Sequence, residues 1–410
     1  MSAQLLFYLI LSIVILNFIL DQVLDHLNTK HFNDPIPKEL SDVYDAKEYK
    51  KSQNYKAEKN KLGQITSWIS FIALLLLLIF DGFAYVDGIA RDLVSHPILI
   101  ALVFFGVLIL ASDIISTPFS YYSTFVIEER FGFNNMTPKT FWLDKLKAGV
   151  VGAIIGGVLL SLIIWFYYKF PETFWIYAWI IITAFSIIMN MFYAKLIVPL
   201  FNKQTPLEDG SLRDKIESYS EKVGFQLKNI YVIDGSKRST KANAYFSGFG
   251  TQKRITLFDT LINDLDEDEI VAVLAHEVGH YKHKHIIYNL GLSIITTGIT
   301  LWLLSLFVGN PLLSKALGVE QPGFHIGLVA FGILYTPIST ITGLIMNALS
   351  RKFEYEADNY AKNTFGSEYL ISSLKKLSQK SLSNLTPHPL YIKVHYSHPS
   401  LLQRVKNLST

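Results

Sequence analysis

Three residues at fixed spacing can do chemistry here: His276, Glu277 and His280, an H-E-x-x-H array within Val271-Ala-Val-Leu-Ala-His-Glu-Val-Gly-His280. Positions four apart share one face of a helix, so both imidazoles can reach one metal ion. Glu277 stands beside them, where a carboxylate can take a proton from an activated water. The stretch reads as helix. Leu261 to Glu269 is rich in Asp and Glu, which suits a helix N-terminus, and Ile270 to Ala275 is apolar and helix-compatible. Two histidines on a buried helix with no metal is the plainer reading of the same pattern.

A catalytic zinc takes three protein ligands and keeps one position open. His283 shares a face with His276 but lies about 10 Å along the axis, too far for both to hold one ion comfortably. His285 is half a turn out of phase. The extended motif H-E-x-x-H-x-x-G-x-x-H fails, because His283 stands at its Gly position and Ile286 at its last His position. Lys282, His283, Lys284 and His285 read instead as a basic collar at a membrane surface. The other source of a ligand is a carboxylate on a second helix. In Arg351-Lys-Phe-Glu-Tyr-Glu-Ala-Asp-Asn-Tyr-Ala361, Glu354 and Asp358 lie four apart on one face, while Glu356 points away. Glu354 as ligand, with Asp358 bracing a ligand histidine from one turn on, makes a sound pair. The same carboxylates can also form a solvated face paired with Arg351 and Lys352.

The elements that must position these groups lie largely in a membrane. Half of the 410 residues are hydrophobic and only 17% are charged, below the roughly 25% usual in soluble domains. Seven apolar stretches read as spans: 5–24, 65–86, 97–117, 149–168, 173–193, 286–308 and 324–347. Met-Ser-Ala-Gln at the start has neither a basic region nor a small-residue cleavage site, so the first span reads as retained. Asp81 and Asp113 fall inside the second and third spans. Charges there face a polar interior or sit at hydrated span ends. Between the first two spans, Leu40 to Lys61 reads as an amphipathic helix.

The expected architecture is mainly α, a polytopic membrane protein with a cytoplasmic metalloprotease region holding a small β element. Residues 1–197 carry five spans, with cytoplasmic loops 25–64 and 118–147. Residues 198–285 hold the H-E-x-x-H helix and two strands, Asn229 to Asp234 and Arg254 to Phe258. Residues 286–347 add two spans, and 348–410 form a polar, helical region that completes the site. Of the 37 Lys and Arg residues, 33 lie in segments on one side, against Arg91, Lys169 and Lys315 on the other. The positive-inside rule therefore puts the N-terminus outside or lumenal and the motif and C-terminus on the cytoplasmic side. A net charge of +3, with no RNA- or DNA-binding signature, gives no reason to expect nucleic acid as a partner. The chain has no cysteine, which excludes disulfides, Cys-ligated zinc, iron–sulfur clusters and thiol catalysis.

Taken together, these residues resemble the type I CAAX prenyl endopeptidases, integral-membrane zinc metalloproteases that include the yeast a-factor-converting enzyme. The resemblance covers nearly the whole chain. It rests on the number of spans, on Val273-Leu-Ala-His-Glu-Val-Gly-His280, and on Lys237-Arg-Ser-Thr-Lys-Ala-Asn-Ala-Tyr-Phe-Ser-Gly248. It continues through Arg254-Ile-Thr-Leu-Phe-Asp-Thr-Leu261, Arg351-Lys-Phe-Glu-Tyr-Glu-Ala-Asp358 and His395-Tyr-Ser-His-Pro-Ser-Leu-Leu-Gln-Arg404.

The resemblance implies a ring of seven helices around a large chamber, with one zinc per chain at its cytoplasmic end. His276, His280 and Glu354 would bind the zinc and Glu277 would be the general base. Asp358 would brace a ligand and Arg404 would pair with carboxylates. His398 would stabilise the oxyanion, and Asn243 would lie on a segment that aligns the substrate backbone as an added strand. Plainer roles compete: Asn243 as a turn cap, His398 as a loop hydrogen-bonder, Arg404 as a surface residue. Lys241 departs from the family pattern, which often has Asn, Gly, Ser or His there.

The implied activity is removal of the last three residues of prenylated CaaX proteins or peptides, in an endoplasmic reticulum or bacterial inner membrane. The alternatives are a membrane quality-control metalloprotease of the HtpX kind and a seven-span receptor or transporter without enzymatic activity.

Overall fold

The computed structural model describes residues 2–225, 230–247 and 254–410; Asn229 and Gly248, at the ends of two stretches named above, lie outside them. Among the described residues, seven helices are long and apolar enough to cross a membrane. They are α1 (Ala3–Lys30), α2 (Ala46–Ile79), α3 (Pro97–Tyr122), α4 (Pro138–Lys169), α5 (Phe174–Leu196), α7 (His285–Phe307) and α8 (Phe324–Thr364), with α6 (Glu267–Lys282) outside the spans. Helices suit this setting because each satisfies its own backbone polar groups where no water can.

The spans form a closed ring. α1 touches α2, α2 touches α3, and the sequence of contacts runs through α4, α5, α7 and α8 back to α1. Only 6 to 17% of the residues in each apolar stretch are buried. A packed bundle would bury the inner stripe of every helix. These helices therefore encircle a space, as the expected chamber requires.

Several helices run past the spans read from the sequence, and three boundaries have a local cause. The amphipathic helix and the second span are one helix, because nothing between Ala46 and Ile79 breaks it. That helix stops short of Val86. Asp81 takes a left-handed backbone (φ 52°) and a separate helix, Gly82–Leu93, begins after it. The third span runs on past Thr117. Pro118 removes a backbone donor, and the helix continues through a π turn, Ser123–Glu128, to Phe131. Asp113 lies in the ring wall, paired with Lys145 of α4 at 2.5 Å.

One side of the ring carries a small apolar plug. Helices Gly82–Leu93 and Pro311–Ala316 pack there against α1, α3 and α8. The other side carries the layer that holds the motif. Its sheet has the order β1-β2-β4-β3, with β1 at Gln204–Pro206, β2 at Ile230–Ile233, β3 at Ala244–Ser247 and β4 at Arg254–Phe258. β2 and β4 run parallel, pairing Ile230 with Ile255. β3 is antiparallel to β4, pairing Ala244 with Leu257, and forms an edge of the sheet.

Helix α6 lies against this sheet through Ile270, Val271, Leu274 and Val278, which share a core with Ile255, Leu257 and Leu261. Each large side chain buried there contributes roughly 1.5–3 kcal/mol. Helices α9 (Ser367–Lys380) and α10 (Leu401–Ser409) close the layer from the other side.

Candidate metal centre and active site

Helix α6 starts where its sequence says it should. Glu269 reaches back to the backbone N–H of Asp266 at 2.9 Å in a capping box. Glu269 is itself held by Ser372 (2.6 Å) and Lys376 (2.8 Å) of α9, so the cap also docks two helices. Further along, Gly279 lets α6 meet α8 closely. A Cβ there would lie 2.9 Å from the Ala357 Cα. Two small residues, one on each helix, thus set the distance between the two chemistry-bearing faces.

That approach brings the motif histidines onto Glu354. The Nε2 atoms of His276 and His280 are 3.2 Å apart. They lie 3.5 Å and 3.3 Å from the two Glu354 carboxylate oxygens. One donor atom from each of the three residues lies within 4.8 Å of the others. The Oε2 of Glu354 is buried and finds no hydrogen-bond partner among the described residues. A buried carboxylate oxygen left without a donor is costly, and two imidazole nitrogens face the same point. This donor set fits a metal ion.

The next layer of contacts fixes the orientation of these donors. Asp358, fully buried, lies 2.9 Å from His276 Nδ1. Arg404 of α10 grips both Asp358 oxygens, at 2.9 and 2.5 Å, and stands 3.8 Å from Glu354. Arg404 is thus no surface residue. Burial and Arg404 oppose the His276 imidazolium, yet the nearby Asp358 and Glu354 carboxylates outweigh both and push its pKa up to about 9. The same two carboxylates are what a bound cation would draw on.

A cavity of about 390 Å³ opens onto these groups, lined by Glu277, His398, Asn243 and Tyr245 among others. His398 is mostly exposed, and its Nε2 sits 3.3 Å from Glu354 Oε1. Asn243 precedes edge strand β3. Its carbonyl accepts from Phe258, and its side chain accepts from the Ala244 N–H at 2.9 Å. So Asn243 lines the cavity and also caps its own turn. All eight residues singled out in the sequence converge on one place.

Residues 25–203 match the family model for the CAAX prenyl protease N-terminal, five membrane helices, and residues 206–410 match Peptidase family M48. CAAX prenyl protease 1 of Saccharomyces cerevisiae is 36% identical, over 91% of this chain and 88% of its own length.

The chain belongs to the M48 peptidases of the CAAX prenyl protease type.

Its counterpart from Homo sapiens, CAAX prenyl protease 1 homolog, is 32% identical over 92% of this chain and 89% of its own. The crystal structure of S. mikatae Ste24p superposes on all of both chains with a TM-score of 0.94 at 34% identity. The protein is therefore an integral-membrane metallopeptidase of this family.

Two features beside this site have partners that the sequence reading did not find. Lys241, the departure from the family pattern, ties the segment before β3 to the membrane ring. Its Nζ meets Glu128 at 2.9 Å and the Tyr55 hydroxyl at 2.8 Å, and lies 4.4 Å from the Phe133 ring centre. Glu128 belongs to the π turn that extends α3. The second feature is His285, which belongs to no exposed collar. It is buried, with Nδ1 at 2.9 Å from His280 Nδ1 and Nε2 at 2.9 Å from Glu356. Phase counting on one continuous helix fails here, because Lys284 takes a left-handed backbone (φ 59°) and separates α6 from α7.

Proposed function

We propose that this chain is a zinc metalloendopeptidase that removes the C-terminal tripeptide from prenylated CaaX proteins or peptides. The observation that carries this reading is the convergence of His276, His280 and Glu354 on one point, beside Glu277 and the edge strand β3. In this reading His276, His280 and Glu354 hold one zinc. Bound there, the zinc supplies Lewis-acid polarisation of a carbonyl and a lowered water pKa.

The chain's own residues do the rest. Glu277 takes a proton from the attacking water and passes it to the leaving amine nitrogen. His398 donates toward the oxygen of the scissile carbonyl as it gains charge. Asp358 accepts the Nδ1 proton of His276 and keeps that ring turned inward, and Arg404 keeps Asp358 ionised and fixed. A substrate peptide adds to edge strand β3 beside Asn243, so its backbone is held in extended form across the site.

The distribution of Lys and Arg, 33 of 37 in one set of segments, supports a cytoplasmic active site and a lumenal or outside N-terminus. The membrane is that of the endoplasmic reticulum or a bacterial inner membrane, and the bilayer is the partner of the ring.

The test is cleavage of a farnesylated CaaX peptide by the purified protein in detergent, with Glu277→Gln and a chelator as controls. Loss of the tripeptide that both controls abolish is the expected result. A zinc-loaded protein that leaves the peptide whole but degrades unfolded membrane proteins would overturn the substrate reading.

A further inference from the structure

We propose that His285 and Glu356 form an outer relay that positions His280 as a metal ligand; this rests on the zinc-site reading above. His280 presents Nε2 to the ligand cluster, 3.2 Å from His276 Nε2 and 3.3 Å from Glu354. A neutral imidazole that ligates through Nε2 carries its proton on Nδ1. Among the described residues, the atom placed to accept that proton is His285 Nδ1, 2.9 Å away. His285 must then hold its own proton on Nε2, and that atom lies 2.9 Å from the Glu356 carboxylate. One assignment of protons satisfies every atom from Glu356 to the ligand nitrogen. The two histidine ligands are thus braced differently: His276 directly by Asp358 at 2.9 Å, His280 through a second imidazole.

The relay is held rigidly. The His285 ring is buried and stacks on Phe353 at 4.1 Å with an 11° interplanar angle. Its placement depends on the left-handed turn at Lys284. Lys352, 3.7 Å from Glu356, steadies the outer carboxylate. His283, His285 and Glu356 also lie close enough to suggest a second metal site, with donor atoms within 4.8 Å of one another. Both nitrogens of His285 are already engaged, however, so a second ion would have to break one of these bonds. The relay uses all of them.

The test is zinc affinity, measured by chelator competition on the full chain in detergent, alongside kcat and KM for the farnesylated peptide. His285→Phe keeps the stack on Phe353 and removes both hydrogen bonds. It is expected to weaken zinc about 10- to 100-fold, with KM at saturating zinc unchanged. His285→Gln, whose amide can accept from His280 and donate to Glu356, is expected to restore most of that loss. Glu356→Ala should fall between the two. Wild-type zinc affinity in a folded His285→Phe protein would overturn the relay. So would a second bound zinc that His283→Ala removes, since it would put His285 in a separate site. Wild-type protein that holds one zinc but spares the peptide would instead count against the substrate reading and leave these affinity comparisons intact.

Discussion

Helices α4 and α6 show how differently this chain uses the same secondary structure. α4 runs for 32 residues and buries one of them, Ile164. α6 runs for 16 residues and buries nine. The first is a plank in a wall, with lipid on one side and a chamber on the other, and needs only to be apolar and long. The second holds reacting groups, so its position is fixed by a core, a capping box, a glycine contact and ion pairs. Accuracy in this molecule is concentrated in one layer, and the wall is tolerant.

That contrast can be broken by substitution. The largest effect is expected at Glu277. Glu277→Gln should lower peptide hydrolysis by about 10²–10⁴-fold or more while metal content, read by mass spectrometry, stays at wild-type level. Full activity in that variant would take the general base away from Glu277. Next comes Gly279→Val, which forces side-chain atoms against Ala357. Overpacking of this kind costs about 1–3 kcal/mol, so the melting temperature should fall and metal should be lost with it. An unchanged melting temperature would mean that the α6–α8 contact is not tight.

A smaller effect is expected where the two regions meet. Lys241→Met removes the tie between the β3 segment and Glu128. KM should rise by about fivefold or less with kcat preserved, as befits a partly exposed ion pair that positions a binding edge. A fall in kcat alone would place Lys241 nearer to the chemistry than its contacts do. The smallest effect belongs to the wall. Val158→Ala, at an exposed position of α4, should shift stability by no more than about 0.5 kcal/mol and leave hydrolysis unchanged. A large loss there would show that the wall is as finely set as the site.

The legibility of the sequence follows the same division. Spans are read from long apolar runs, and all seven are found because apolar length is the whole requirement. The clustering of His276, His280, Glu354 and Asp358 was legible because i,i+4 spacing on each of two helices is a local property. What could not be read is where a helix changes phase. A single left-handed residue at Lys284 turns His285 from a presumed collar into a neighbour of His280. Asp81 does the same to the end of the second span. Neither residue is glycine, so no composition signal marks the break. Lys241 was visible as an oddity, but its partners, Tyr55 and Glu128, lie 186 and 113 residues away in the chain. Only the closed ring brings them together.

The closing contact of that ring, between α1 and α8, has a consequence for how the molecule is made. A chain synthesised from its N-terminus has both motif histidines by residue 280, yet it lacks Glu354, Asp358 and Arg404. The first span must wait for the last before the wall shuts, and the last span carries Glu354 on its extension. The bracing arginine arrives later still. Wall and active centre are therefore completed in the same final stage of synthesis, and an unfinished protease has neither an enclosed chamber nor a centre able to cut its neighbours.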